Sequence, residues 1–180
     1  AGQLPEVRDE GFGALFLDRR RAAYEGQVAL EWNQVADPSV HRAYPFDVND
    51  RTSPIELDLR PALRAAVDDT LAGVPLSSIA AAFHYTLAAA TAAAVARTVK
   101  VFGPLPVVAS GGCFQNGLLA EAVGAALRGV ELRLHAEVPP GDGGIALGQA
   151  LQAIGPSRSS PIRQPRKAAQ SRWSLPQCSQ

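Results

Sequence analysis

The sequence reads as an α/β protein with a short, mostly parallel sheet flanked by helices. Three features say so. From Leu105 to Ile154 the chain twice runs through an apolar stretch, a glycine-rich turn and a helical apolar pattern, which is a βαβα order. Both turns follow the carboxyl end of an expected strand, where open α/β sheets bind ligands. Ahead of them lies a long helical segment with ten alanines between Ala80 and Ala96, small enough to let another helix or a sheet approach closely.

Residues 1–23 are polar and irregular, with Arg19-Arg20-Arg21 as a basic surface cluster. Tyr24, Val28, Trp32 and Val35 fall at near-helical spacing, so 24–36 is expected to be a helix. Asp37-Pro38 stops it, because the residue before a proline is pushed out of the α region. Residues 38–56 carry Pro45, Asn49, Asp50 and Pro54 and read as loop with short extended pieces. A second helix covers about 59–72, with Pro61 suited to its first turn and Gly73-Val74-Pro75 ending it. The longest helix follows Ser77 or Ser78, either of which can cap it, and stops before Gly103-Pro104. Its series Ile79, Phe83, Leu87, Thr91, Val95, Val99 recurs every four residues.

Leu105–Ala109 is a continuous apolar run, as expected for a strand buried on both faces. Ser110–Asn116 is the first turn, and Leu118, Leu119, Ala122, Val123, Ala126 and Leu127 share one face of the helix that ends at Gly129. Val130–His135 alternates apolar and polar residues, a half-buried strand nearer the edge. Val138–Gly144 is the second turn and Ile145–Ile154 the last helix, closed by Gly155-Pro156.

Composition narrows the function classes. The chain has 180 residues, 47% hydrophobic and 19% charged, with 17 basic and 17 acidic side chains. That is one domain, with or without a tail. Five of the basic residues (Arg158, Arg163, Arg166, Lys167, Arg172) and no acidic ones lie beyond Pro156, leaving residues 1–155 with 12 basic against 17 acidic. An acidic body argues against a nucleic-acid surface. The tail, 156–180, is rich in Ser, Pro and Gln and is expected to be disordered. Trp173 is its one aromatic residue, so an RNA-binding arm is the lesser reading there. No uninterrupted run of 18 apolar residues occurs, so no transmembrane helix is expected. Ala1–Glu6 has neither the basic flank nor the apolar core of a signal peptide. Cys113 and Cys178 make no disulfide framework, which suits a reducing, cytoplasmic setting.

Two loops carry the candidate chemistry. In the first, Gly111 and Gly112 leave the backbone open to a ligand, and the N-terminus of the next helix suits a phosphate or carboxylate. Asn116 can cap that helix or hold a ribose or base. A plain glycine-rich turn with a polar cap has equal standing, since the loop is neither a P-loop nor a GxGxxG fingerprint. In the second, Asp142 stands among Gly141, Gly143 and Gly144 before a helix, as a cap or as a hard-metal ligand. Cys113 sits where a helix dipole would lower a thiol pKa, yet no histidine is near it in sequence, and buried apolar packing is the simpler role. His84 is expected to be a helix residue satisfied by a neighbour. His41, His84 and His135 have no metal-ligand spacing. Glu25 opens a helix, and Gly26 beside it hints at a close approach.

Val107–Leu119 and Val138–Ala150, with Phe83-His84-Tyr85-Thr86-Leu87 and Tyr24–Ala29, together resemble the C-terminal end of the HypF family, the carbamoyltransferases of [NiFe]-hydrogenase maturation. The resemblance runs from about Leu76 to Ala153, extends to Tyr24–Leu30, and stops after Gly155. It implies the second half of an actin-like (ASKHA, Kae1-like) ATPase domain over 24–155. It also implies an enzyme that uses carbamoyl phosphate and ATP, through carbamoyl adenylate, to carbamoylate the C-terminal cysteine of a partner protein on the way to the cyanide ligands of the hydrogenase iron. On that resemblance Gly111, Gly112 and Asn116 would cradle the nucleotide, Glu25 would contact its ribose, and Asp142 would bind a divalent metal (iron, zinc or magnesium). The histidine pair that completes the metal site in such domains belongs to their first half, and no His-x-x-x-His occurs here. The isolated chain is therefore expected to be inactive until joined to that N-terminal half. Two alternatives share the fold: a related actin-like carbamoyltransferase acting on tRNA adenosine or a small-molecule hydroxyl, and a non-catalytic remnant.

Overall fold

A computed structural model of the chain describes residues 16–17, 23–24, 26–49 and 54–154. The irregular segment expected at 1–23 lies mostly outside these residues. Glu25 and the basic tail lie wholly outside them.

Helix α1 spans Gln27–Val35. Its N-cap is Gly26, at φ 80°, a left-handed conformation that glycine adopts without strain. A Cβ there would meet nothing within 4 Å, so conformation, and not the expected close approach, explains this glycine among the described residues. The Gln27 side chain supports the turn, accepting the Ala23 N–H at 2.6 Å and donating to Glu31 at 2.8 Å. The expected loop with extended pieces contains a true antiparallel hairpin, β1 (Asp47–Asn49) against β2 (Glu56–Asp58). Helix α2 then covers Arg60–Leu71, with proline in its first turn as expected.

Helix α3 runs over Leu76–Phe102. It starts directly after Pro75, without a side-chain cap. Neither Ser77 nor Ser78 caps it, because both already lie inside the first turn; the Ser77 carbonyl instead accepts the Asp37 N–H at 3.0 Å. One expectation about α3 needs correcting. Helix α3 has 27 residues, and an 18-residue window of it has a mean hydropathy of 1.5. It is long and apolar enough to cross a membrane by length and composition, although 44% of that window is buried within the fold. Ser, His and Thr interrupt any strict apolar run, but the alanines keep the average high.

The helix serves two cores. Its first half, with Ile79, Ala80 and Ala82, packs with Val28 and Trp32 of α1, Ala62 and Ala66 of α2, and Tyr44. Phe83 meets Trp32 edge to face at 5.5 Å between ring centroids. Its second half, with Ala88, Ala92 and Val95, packs on Leu119, Ala122, Val123 and Leu127 around helix α4 (Gly117–Ala126) and on the small parallel sheet. Alanine is what lets α3 and α4 approach so closely while costing no helix propensity.

That sheet pairs β3 (Val107–Val108) with β4 (Leu132–Arg133) in parallel, with Val107 opposite Leu132. The expected strand 105–109 is thus shorter than its apolar run, and it is not buried on both faces. Val107 and Leu132 turn one face to the α3–α4 core. Val108 is 70% exposed on the other, because no described residue covers that side of a two-stranded sheet. Helix α5 occupies Ile145–Ile154, as the sequence predicts, but none of its residues is buried.

Candidate functional site

The two glycine-rich turns meet beyond the carboxyl ends of β3 and β4. The Gly111 N–H donates to the Pro140 carbonyl at 2.9 Å, and Ser110 Oγ donates to the same oxygen at 3.4 Å. An open groove of ≈ 460 Å³ beside them is lined by Ala109, Ser110, Arg133, His135, Glu137 and Pro140. Turns separated by thirty residues in sequence therefore form one surface.

The glycines divide by role. Gly111 sits at φ 106°, ψ 164°, a conformation essentially confined to glycine, and it directs the chain into a short 3₁₀ turn at Gly112–Gln115. Gly144 is small because of the backbone that lies against it, whereas Gly141 faces the movable end of the Gln115 side chain. A Cβ on Gly141 would come within 2.7 Å of the Gln115 amide nitrogen, and one on Gly144 within 2.7 Å of the Pro139 carbonyl oxygen. Gly112 differs from both. Its φ is not in the left-handed region, and a Cβ on it would meet nothing within 4 Å. Among the described residues, nothing inside the chain requires a glycine at 112.

Asn116 does two jobs. Its Oδ1 accepts the Leu119 N–H at 2.9 Å, capping α4, and its Nδ2 lies 2.7 Å from His84 Nε2. Leu118 donates to Asn33 Oδ1 of α1 at 3.4 Å. Of the N–H groups expected to be free at this helix N-terminus, those of Leu118 and Leu119 are thus engaged within the chain and that of Gly117 is not. Among the described residues, the backbone N–H groups left without an acceptor from this turn to the start of α4 are those of Ser110, Gly112, Cys113 and Gly117.

His84, in the middle of α3, is 4% exposed and satisfied on both ring nitrogens. Its Nδ1 is 2.7 Å from the Ala80 carbonyl, which can only accept, so Nδ1 carries the proton and Nε2 accepts from Asn116. Burial holds the imidazole pKa below its ordinary 6.5, against the opposing pull of the Ala80 bond. The sequence signals only a histidine inside a helical run; that it reaches the glycine turn is a tertiary fact.

The other candidates separate. Asp142 is exposed, in the 3₁₀ turn Asp142–Gly144 that leads into α5, and its side chain makes no cap bond to that turn. Among the described residues no three His, Cys, Asp or Glu side chains converge, so they do not by themselves form a metal site. Cys113 is exposed, against the expectation of a packed thiol, because the 3₁₀ turn carries it to the surface. His41 meets Tyr85 edge to face at 5.0 Å between ring centroids, and His135 lines the groove.

Helices on a small parallel sheet, with paired glycine turns at its carboxyl end, define an α/β subdomain. The chain belongs to the HypF carbamoyltransferase family: residues 10–149 match the family described as "Carbamoyltransferase, Kae1-like Domain, second subdomain". It is 37% identical over 163 residues to the carbamoyltransferase HypF of Rhizobium leguminosarum bv. viciae, covering 85% of this chain and 21% of that one. It is 34% identical over 157 residues to a HypF homologue of Cupriavidus necator, covering 81% of this chain and 38% of that one. The crystal structure of full-length HypF in its phosphate- and nucleotide-bound form superposes with a TM-score of 0.73 at 32% identity, over 80% of this chain and 19% of the other. HypF of T. kodakarensis shares the fold, with a TM-score of 0.61 at 22% identity over 79% and 19% of the two chains. The chain thus spans between a fifth and two fifths of the length of these relatives.

Proposed function

We propose that the chain supplies the nucleotide-contacting second subdomain of an ATP-dependent carbamoyltransferase. The observation that carries this reading is Gly112, a glycine that neither its backbone angles nor its neighbours among the described residues demand, in a turn locked to the second loop. A side chain there would stand where a ligand's phosphate or ribose approaches the backbone. The nucleotide-bound state of the similar full-length HypF structure supports the same reading.

In this account Gly111 sets the turn, Gly112 admits the nucleotide, and Asn116 offers the part of its carboxamide that the cap and His84 leave over. Glu25 would contact the ribose. Asp142 would give one oxygen to a divalent metal whose remaining ligands come from outside the described residues. Carbamoyl phosphate and ATP are the substrates and carbamoyl adenylate the activated intermediate. The acceptor, a C-terminal cysteine thiolate of a hydrogenase-maturation partner in the cytoplasm, attacks the carbamoyl carbon. The S–C bond forms as the C–O bond to AMP breaks, and AMP leaves with the electron pair. The chain's part is to hold AMP in place, so that binding energy orients the reacting carbon.

Calorimetric titration of ATP into the full chain tests this. The expected result is a Kd tighter than about 1 mM, with Gly112→Val weakening it about tenfold or more. No ATP binding, or equal binding by Gly112→Val, would overturn the nucleotide reading.

A further inference from the structure

We propose that His84 is a positioning residue for the ligand-binding turn, holding the Asn116 carboxamide so that Asn116 caps α4 and fixes the end of the 112–115 turn. The proposal rests on the nucleotide reading of that turn. It draws on a relation that local sequence does not contain, since 32 residues separate the two partners.

The chain of bonds is closed at each link. The Ala80 carbonyl fixes the proton on Nδ1, Nε2 is left as an acceptor, and only the NH₂ end of Asn116 can satisfy it. With its NH₂ on His84, Asn116 presents Oδ1 to the Leu119 N–H and cannot rotate without losing one bond or the other. Asn116 is the residue after the 3₁₀ turn, and its own N–H donates to the Cys113 carbonyl at 3.2 Å. A rotation of Asn116 would therefore be felt by the backbone at Gly112 and Cys113. His84 lies between the two cores that α3 serves, so the turn is referenced to the helix that joins them.

Two readouts on the full chain test the proposal. By amide hydrogen exchange, His84→Leu should release the Leu119 N–H about tenfold faster, and His84→Gln, which keeps an acceptor, should hold it within about threefold of wild type. By ATP titration, His84→Leu should weaken binding about tenfold in the wild-type background and have no further effect in the Asn116→Ala background, because His84 acts through Asn116. Unchanged Leu119 exchange in His84→Leu, or losses that simply multiply in the double variant, would overturn the proposal. Should His84→Leu fail to fold, Asn116→Asp serves instead. It keeps the cap oxygen but removes the donor, so the His84 ring should protonate at higher pH by NMR; an unchanged titration would contradict the tether. A chain that binds no ATP would sink the nucleotide reading, whereas Leu119 exchange would still decide whether His84 holds the turn.

Discussion

The backbone N–H of Tyr44 donates to Thr86 Oγ1 at 2.8 Å, and that hydroxyl in turn donates to the Ala82 carbonyl one helical turn earlier at 2.7 Å. Thr86 is fully buried, and this bond ties the segment after α1 to the centre of α3. The Tyr44 side chain secures the other end, its hydroxyl donating to Asp69 of α2 at 2.7 Å. Thr86→Val preserves the shape and leaves a buried N–H without an acceptor. It should cost about 1–3 kcal/mol in urea unfolding, with Thr86→Ser close to wild type.

Stability should fall on mild acidification because of His84. Its folded-state pKa lies below the unfolded 6.5, so between the two values the unfolded chain binds more protons. The contribution is complete above about pH 6.5 and is lost as pH drops toward the folded pKa. Protonation also makes Nε2 a donor facing the Asn116 NH₂, which forces one bond to break. Thermal melts from pH 7.5 downward should show a decline that His84→Gln flattens; parallel curves would contradict it.

Core and edge should respond very differently to truncation. Ile79 is 1% exposed between α1, α2 and α3, and Ile79→Ala should cost about 2–5 kcal/mol through lost burial and the cavity left behind. Leu151 on α5 is 61% exposed, and Leu151→Ala should change stability by no more than about 0.5 kcal/mol. Chemical denaturation of the two variants side by side checks both.

Helices were the most legible part of the fold. Alanine content and fourfold apolar spacing mark α3, and the limits of α5 coincide with the periodic segment, because periodicity reports local backbone geometry directly. The sheet was legible in kind but not in extent. Leu105 and Val108 look like a buried strand by composition, yet each is more than half exposed, since burial depends on neighbours and not on the strand itself. The β1–β2 hairpin was hidden by Asp and Asn, poor strand formers whose pairing is decided by register. At the site, glycine spacing located both turns. Which glycine serves conformation (Gly111) or packing (Gly144), and which has open space beside it (Gly112), depended on contacts made across the fold. The same is true of His84, whose reach to Asn116 no local pattern announces. The HypF resemblance was carried by the two turns together, and the family match over 10–149 extends beyond the Tyr24 start of that resemblance.

On the proposed function, the turns at 110–117 and 138–145 form one nucleotide-binding surface. Titrating ATP into the ¹⁵N-labelled full chain while following backbone amide shifts tests it most directly. Saturable changes should concentrate at Gly111, Gly112, Cys113 and Gly117, with smaller ones at Gly141 and Asp142. Changes centred on the hairpin or α2, or no saturable change up to several millimolar ATP, would contradict it.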